Sequence, residues 1–187
     1  EAKIQVPVED RPQLGDEWYD RFGVYSVSIN GDYILAGNPE YSIRKDRAGT
    51  AYVYLRSGSN WNLQTRLFAS DSAPIDYFGY GVDLDGEYAV ITAPLDIVSG
   101  VYEDGSVYIF KRSGTAWTQQ TKLVGPGGLG IPGDDGFGFG GSFWQGIALD
   151  GDRLDLYHLR QRADGRTQFG RGRQRDGAGF GIFLFLA

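Results

Sequence analysis

Short runs of alternating hydrophobic and polar residues dominate the first two thirds of the chain, and residues that favour turns separate the runs. Alternation with a period of two is typical of β-strands, because successive side chains point to opposite faces of a sheet. Four such runs are followed by four more in the same order, which predicts two units of four short antiparallel strands. The predicted strands are 24–29, 33–36, 50–55 and 61–67 in the first unit, and 80–84, 88–91, 106–110 and 117–123 in the second.

The third strand of each unit is apolar on both faces. In strand 50–55, small and aliphatic residues alternate with Tyr52 and Tyr54. A strand with two apolar faces fits a sheet that packs between two other sheets. The fourth strand carries more polar residues, which favours an outer edge.

The two units share landmarks at a constant spacing. Each first strand leads into a dipeptide that favours a tight hairpin, Asn30-Gly31 or Asp85-Gly86. A fixed period marks an array of units, none of which buries its apolar face alone. We therefore predict an all-β fold of β-propeller blades, each of four antiparallel strands, with about three blades' worth in the chain; a β-sandwich with internal similarity is the alternative. Landmarks 56 positions apart are Phe22 and Phe78, Gly58 and Gly114, and Trp61 and Trp117.

The whole chain, residues 1–187, is predicted to be a single repeat array. A third unit begins at the sequence Asp135-Gly136-Phe137-Gly138, loses the pattern after residue 154, and regains it at 180–185 as a third strand. The predicted divisions are a leading outer strand in 1–19, blade 1 in 20–75, blade 2 in 76–134 and a diverged blade 3 in 135–187.

Composition narrows the classes of function. Of the 187 residues, 41% are hydrophobic, which is enough for a packed core. The chain has no Cys, so disulfides, thiolate catalysis and Cys-ligated zinc are excluded. A formal net charge of −6 argues against nucleic acid as a partner, and no apolar stretch is long enough to span a bilayer. The chain has no Met, not even at position 1, and we expect a mature chain left by removal of a secretory signal.

The order of the landmarks resembles the FG-GAP repeat, which builds the propeller of integrin α subunits and of many bacterial surface or secreted proteins. The matching elements are Phe-Gly, then Asn-Gly or Asp-Gly, then Ala-Gly-Asn-Pro or Ala-Pro, then a Tyr-rich third strand. The resemblance covers residues 20–123 and, in part, 135–152. It implies a non-catalytic extracellular or cell-surface propeller segment that binds a protein or glycan in adhesion or recognition.

One departure from the family concerns calcium. The family members that bind it place an Asp-x-Asp-x-Asp-Gly loop after the Phe-Gly landmark, and the closest approach here is Asp83-Leu84-Asp85-Gly86. A calcium site needs several oxygens converging from a loop, whereas these residues run from a strand into a two-residue turn. We therefore predict turn-forming aspartates, with no cofactor and no metal site, and keep Ca²⁺ as the alternative.

Catalytic motifs are absent from the sequence. His158 is the only histidine, and no nucleophile elbow, metalloprotease motif or phosphate-binding loop occurs. The sequence predicts no catalytic residue and no enzyme; a polysaccharide-active enzyme is a less favoured alternative.

The predicted ligand contacts lie in the variable loops after the second strands, because propeller ligands usually meet such loops. Glycines that follow the repeated phenylalanines are expected to let backbones approach while the rings fill the space between blades. The two tryptophans are predicted to pack in outer strands, with a sugar-stacking pair as the alternative. The candidate ligand residues are Tyr41, Arg44, Asp46, Asp96, Tyr102 and Glu103, and the structural motif comprises Phe22, Gly23, Phe78, Gly79, Phe137, Gly138, Trp61 and Trp117.

The chain ends suggest an assembly hypothesis. Residues 3–8 stand where a fourth strand would precede the first unit, and the third unit lacks its fourth strand. A structural subunit could exchange terminal strands with further copies of itself, as a ring or a filament; a segment of a larger propeller is the alternative. The residues of this hypothesis are Ile4, Val6, Val8, Ile182, Phe183, Leu184 and Phe185.

Overall fold

The computed structural model describes residues 4, 7, 22–41, 46–97 and 105–124, together with four strands beyond them. All regular elements in these residues are β-strands. They are β1 Val27–Asn30, β2 Tyr33–Asn38, β3 Thr50–Ser57, β4 Asn60–Leu67, β5 Val82–Asp85, β6 Tyr88–Ala93, β7 Ser106–Ser113, β8 Ala116–Leu123, β9 Gly146–Asp150, β10 Arg153–Gln161, β11 Thr167–Gly170 and β12 Phe183–Phe185.

The first eight strands form two four-stranded antiparallel sheets with the orders β1-β2-β3-β4 and β5-β6-β7-β8. We call these sheets blade 1 and blade 2. Both begin with a two-residue hairpin, in which Gly31 and Gly86 adopt positive φ angles of 58° and 55°. A register shift recurs at the same place between the third and fourth strands of each sheet. This all-β organisation confirms the predicted fold class and is consistent with partial propeller blades.

A third sheet is built around β10. Strand β9 pairs with the first half of β10, β12 pairs with residues 153–155, and β11 pairs with the second half. Strand β12 takes the position that the sequence predicts for a third strand. The continuation of β10 to Gln161 and the added strand β11 were not predicted, because the Arg- and Gly-rich sequence there lacks an apolar alternation.

The main core lies between blades 1 and 2. Leu35 and Val53 of blade 1 join Val82, Ile91 and Phe110 of blade 2 in one buried cluster. This packing explains why β3 and β7 are apolar on both faces, because each blade needs a neighbour to remove its apolar surface from water. The opposite face of blade 1 carries a smaller cluster, which consists of Ile34, Tyr52 and Tyr54 with Ile4, Phe22, Trp61 and Leu63 against it.

Three glycines allow the two blades to approach backbone to backbone. A Cβ atom on Gly37 would overlap the carbonyl oxygen of Gly79, and one on Gly49 would overlap that of Phe78. Gly79 has a φ of +96°, and its own Cβ would overlap the Thr50 carbonyl. The Phe78-Gly79 segment therefore enters a slot in blade 1 that has no room for side chains.

The variant Gly37→Ala tests this slot. Gly37 does not need a positive φ, so any loss of stability comes from steric overlap with the Gly79 carbonyl. We expect the free energy of unfolding, measured by urea denaturation, to fall by about 3 kcal/mol or more, because backbone atoms cannot rotate away.

The control for this prediction is Gly58→Ala in the β3–β4 turn. Gly58 has a φ of +62° and open space around it, so alanine adds only local strain of about 1 kcal/mol. Equal losses in the two variants would contradict the close-approach argument.

Candidate functional site at the loop end of blades 1 and 2

The loop that leads into β3 is joined to the β4–β5 connection by backbone hydrogen bonds. The amide of Ile75 donates to the Asp46 carbonyl at 2.7 Å, and the amide of Tyr77 donates to the Arg47 carbonyl at 3.1 Å. The Phe78 amide then donates to the Ala48 carbonyl at 3.0 Å. These bonds align residues 46–49 of blade 1 in parallel with residues 75–78, so the two blades share one loop surface.

The backbone is strained on this surface. Arg47, Ile75 and Tyr77 have φ angles of 45°, 70° and 56°, and they are the non-glycine residues with positive φ in the described part of the chain. Such conformations cost about 1–2 kcal/mol each and persist only where the surrounding structure fixes them. The loops therefore hold a defined shape.

The Arg47 side chain organises the exposed part of the surface. Its Nε and Nη2 atoms donate to the two Asp46 carboxylate oxygens, both at 3.2 Å, and its Nη1 donates to the Tyr77 hydroxyl at 3.1 Å. The Asp46 hydrogen bond raises the pKa of Arg47, and burial opposes it only in part. Half of the Asp46 side chain remains exposed, at 51%. We call Asp46, Arg47 and Tyr77 the loop triad.

A second polar cluster lies beside blade 2. The Lys122 ammonium on β8 is 2.6 Å from carboxylate oxygens of both Asp71 and Asp96. The buried Tyr108 hydroxyl on β7 lies 2.9 Å from Asp71 Oδ1 and 2.8 Å from Asp96 Oδ2, and it donates to one of them at a time. Burial and these two carboxylates raise the pKa of Tyr108, so the hydroxyl stays protonated.

One ammonium group is shared by two carboxylates in this cluster. Burial raises the pKa of Asp71, but hydrogen bonds from Lys122 and Tyr108 outweigh it and the net pKa is lowered. Burial lowers the pKa of Lys122, but its bonds to Asp71 and Asp96 leave the net pKa raised. Lys122 therefore places a positive charge beside both carboxylates. It links the β4–β5 connection, which contains Asp71, and the β6–β7 connection, which contains Asp96, to β8.

Asp76 lies at the base of the same region and is 2% exposed. Its Oδ2 atom accepts a hydrogen bond from the Ala73 amide at 2.6 Å. Burial raises the pKa of Asp76 to about 6; the Ala73 bond opposes this shift, and the nearby charge of Asp96 adds to it. This carboxyl group titrates within the range between neutral and mildly acidic pH.

Two of the predicted ligand residues are buried. Tyr41 packs edge-on against the Tyr52 ring and near the Phe68 ring, at centroid distances of 6.4 Å and 5.9 Å. Asp96 is buried, and its carboxylate forms an ion pair with Lys122. Asp46 is the predicted residue that lies at the surface. Arg44, Tyr102 and Glu103 lie outside the described residues.

Equivalent aromatic residues make the same ring contact in blade 1 and in blade 2. The Phe78 ring meets the Tyr108 ring edge-on at 5.3 Å, and Phe22 meets Tyr52 in the same way at the same distance. The motif residues Phe137 and Gly138 lie outside the described residues. Gly23 has a positive φ of 65°.

The two tryptophans differ in what they contact. Trp117 bridges the blades, because its Nε1 donates to Gln64 Oε1 at 3.0 Å. Its ring also meets the Tyr33 ring edge-on at 6.2 Å. Trp61 packs against the smaller cluster, with the Arg56 guanidinium 5.8 Å from its ring centre.

The residues of the assembly hypothesis fall in three groups. Ile4 packs on the smaller cluster of its own blade 1. Phe183, Leu184 and Phe185 form β12, which pairs with β10 of the same chain. Val6, Val8 and Ile182 lie outside the described residues. Strand exchange between chains stays a prediction.

Asp83 and Asp85 of blade 2 accept hydrogen bonds from side chains of blade 1. Asp83 Oδ1 accepts from the Ser28 hydroxyl at 2.7 Å, and Asp85 Oδ1 accepts from the Asn30 amide nitrogen at 2.8 Å. Among the residues that the structure describes, no group of three or more Asp, Glu or His side chains could hold a metal ion.

The sequence pointed to one member of each polar cluster, Asp46 and Asp96, but not to their partners Tyr77 and Lys122. The available signal for Lys122 was its place opposite Tyr108 in the β7–β8 register. The partners of Lys122, Asp71 and Asp96, come from two separate connections, and only the fold brings them together.

The buried carboxyl of Asp76 gives a prediction on pH. Its folded-state pKa of about 6 lies above the ordinary value of 3.8, so the folded state binds this proton more tightly. Its contribution to stability therefore rises as pH falls through 6, and it is worth about 1 kcal/mol between pH 7.5 and pH 5. Urea denaturation of the wild type and Asp76→Asn at both pH values measures it: the gain in the variant should be smaller by this amount. An identical gain in both proteins would show that Asp76 does not titrate in this window.

Comparison with known families agrees with this geometry. Residues 61–110 match the family model of the FG-GAP repeat. The matched segment begins in β4, includes Phe78 and Gly79, and ends in β7. No curated protein matches the chain. In the described part of the chain, no helix is long and apolar enough to cross a membrane. The predicted resemblance is thus confirmed: the chain carries an FG-GAP repeat, which suggests a β-propeller-like binding domain.

Proposed function

We propose that this chain is part of a non-catalytic extracellular or cell-surface propeller that recognises a protein or glycan ligand through the loop triad. The observation that supports this is the strained, hydrogen-bonded backbone beneath an exposed Asp46–Arg47 pair. Loops on a rigid scaffold are the usual place for binding residues. FG-GAP repeats typically occur in extracellular proteins, which supports the location.

The fixed shape of the loops favours binding. A loop that is ordered before the ligand arrives does not lose that freedom on association. Here three backbone hydrogen bonds and the Tyr77 hydroxyl hold Arg47 in place. The guanidinium and the half-exposed Asp46 carboxylate offer donors and acceptors side by side, which suits a polar ligand with both kinds of group.

The second polar cluster supports the surface without forming part of it. Lys122, Asp71 and Asp96 use their charges on one another, and Tyr108 is buried beneath them. Their role in this proposal is to hold the β4–β5 connection, from which Tyr77 projects.

The experiment compares binding of the purified chain to an array of defined glycans and to immobilised extracellular-matrix proteins. The test variant is Asp46→Ala with Arg47→Gln, which removes the charged pair. Loss of one charge-assisted contact is worth about 1.5–3 kcal/mol, so we expect affinity to fall by tenfold or more for the probe that binds. The glycan and protein arms identify the class of ligand.

The matched control is Asp32→Ala with Arg56→Ala. This pair is also an exposed ion pair of blade 1, with Arg56 Nε 2.7 Å from Asp32 Oδ1, but it lies at the hairpin end of the blade. Its removal should leave binding unchanged. Binding that is insensitive to the triad variant, or that falls equally in the control, would refute the assignment to this surface.

A further inference from the structure

Two tyrosines at equivalent positions stack on each other where blades 1 and 2 meet. Tyr25 and Tyr80 each stand two positions before the first strand of their blade. Their ring centres are 4.6 Å apart, and the ring planes differ by 28°. Aromatic pairs in proteins have ring centres about 4.5–7 Å apart, so this pair lies at the close end of the range. Both residues are partly exposed, which gives a small reagent access to the rings.

The backbone on either side holds the two rings together. The hydroxyl of Ser26, next to Tyr25, donates to the Val82 carbonyl at 3.1 Å and accepts from the Val82 amide at 2.9 Å. Gly79, directly before Tyr80, lies in the tight slot of blade 1. Each ring is therefore attached to a segment that the joint between the blades fixes, and a reaction between the rings has its geometry prepared.

Composition directs oxidation toward such rings. The chain has no Cys and no Met, but it has 12 Tyr and four Trp. Thiol and thioether groups react readily with oxidants, and they protect other side chains by consuming them. Without sulfur, aromatic rings are the most readily oxidised side chains of this protein. A covalent link between the blades must also use chemistry other than a disulfide.

Other tyrosine pairs in the structure are less suited to react. Tyr41 and Tyr52 have ring centres 6.4 Å apart, and Tyr52 and Tyr54 have ring centres 6.5 Å apart. All three of these residues are buried. Closeness and exposure thus coincide at Tyr25 and Tyr80.

We propose that Tyr25 and Tyr80 form an oxidative cross-linking site, at which a haem peroxidase and hydrogen peroxide join the two rings as dityrosine. Each phenol gives one electron and one proton to the oxidant, and one hydrogen peroxide is reduced to two water molecules. The two phenoxyl radicals form a carbon–carbon bond between ring carbons next to the hydroxyl groups. The hydrogen on each bonded carbon then moves to the oxygen, which restores both phenols.

The bond requires the rings to turn from a stack toward an edge-to-edge arrangement. The χ2 torsion of tyrosine has a broad energy minimum, and the partly exposed rings have solvent on one side. The centres of two directly bonded phenol rings are separated by nearly the distance seen here. Rotation of the side chains therefore brings the reacting carbons together without a large movement of the backbone.

The link would tie the start of blade 1 to the start of blade 2. A covalent tie between distant positions restricts the unfolded chain and so stabilises the folded one, as a disulfide does in other proteins. The loop triad takes no part in this chemistry, so the proposal is independent of the proposed ligand.

The test is treatment of the full chain with a haem peroxidase and hydrogen peroxide, at a protein concentration low enough to favour links within one molecule. We expect the fluorescence of dityrosine in the monomer, a mass lower by two hydrogen atoms, and a link between positions 25 and 80 in tandem mass spectrometry. In Tyr25→Phe and Tyr80→Phe the yield should fall by about tenfold or more, because the remaining tyrosines lack a close, accessible partner. Phenylalanine keeps the ring, so both variants should fold, as circular dichroism can verify.

Tyr88→Phe is the matched control. Tyr88 is also partly exposed in blade 2, but its ring meets the Lys111 ammonium, 5.0 Å from the ring centre. This variant should cross-link like the wild type, and wild type unfolded in urea should show no preference for the pair. No dityrosine in the folded chain, links that join other tyrosines instead, an equal loss in Tyr88→Phe, or an equal preference in urea would each overturn the proposal.

A second measurement tests the consequence of the link. The cross-linked monomer should unfold at a higher urea concentration than the untreated chain. Tyr25→Phe treated in the same way should show no such gain, which separates the effect of the link from other oxidation. An unchanged midpoint in the cross-linked wild type would contradict a tie between the blades.

Discussion

The close approach of the Phe78-Gly79 segment to Gly37 and Gly49 is the constraint on which the remaining structure depends. It brings two backbones together where a methyl group would overlap a carbonyl oxygen. The same approach buries the Phe78 ring against Tyr108 and aligns residues 75–78 with 46–49. A steric requirement within the core thus fixes the shape of the exposed loops, because the segment that fills the slot continues directly into the loop surface.

The polar groups are arranged by their distance from this contact. Asp76 is separated from the Phe78-Gly79 segment by one residue, and its burial raises its pKa. Ionising this carboxyl group in the folded protein therefore costs free energy. Lys122 forms ion pairs with both Asp71 and Asp96, and the Arg47–Asp46 pair is partly in water. Screening by solvent makes the outer pair weak as a source of stability.

The sequence predicted the blades well because local signals agree with the global fold. Alternation, Asn-Gly and Asp-Gly turns and a strand with two apolar faces each describe the same four-stranded unit. The site was predicted less well. Loop position alone suggested Tyr41 and Asp96, but Tyr41 fills space beside Phe68 and Asp96 pairs with Lys122. Which loop residues remain exposed depends on contacts between distant connections, and periodicity carries no information about them.

The repeat is not uniform, and this bears on how further units join. Thr92 holds in blade 2 the place of Gly37, and its hydroxyl oxygen accepts from the Gly81 amide at 2.8 Å. Gly81 in turn replaces Ser26, so this position has no side chain with which to cap a neighbouring edge. The tight slot of the first joint is therefore not repeated on the far side of blade 2.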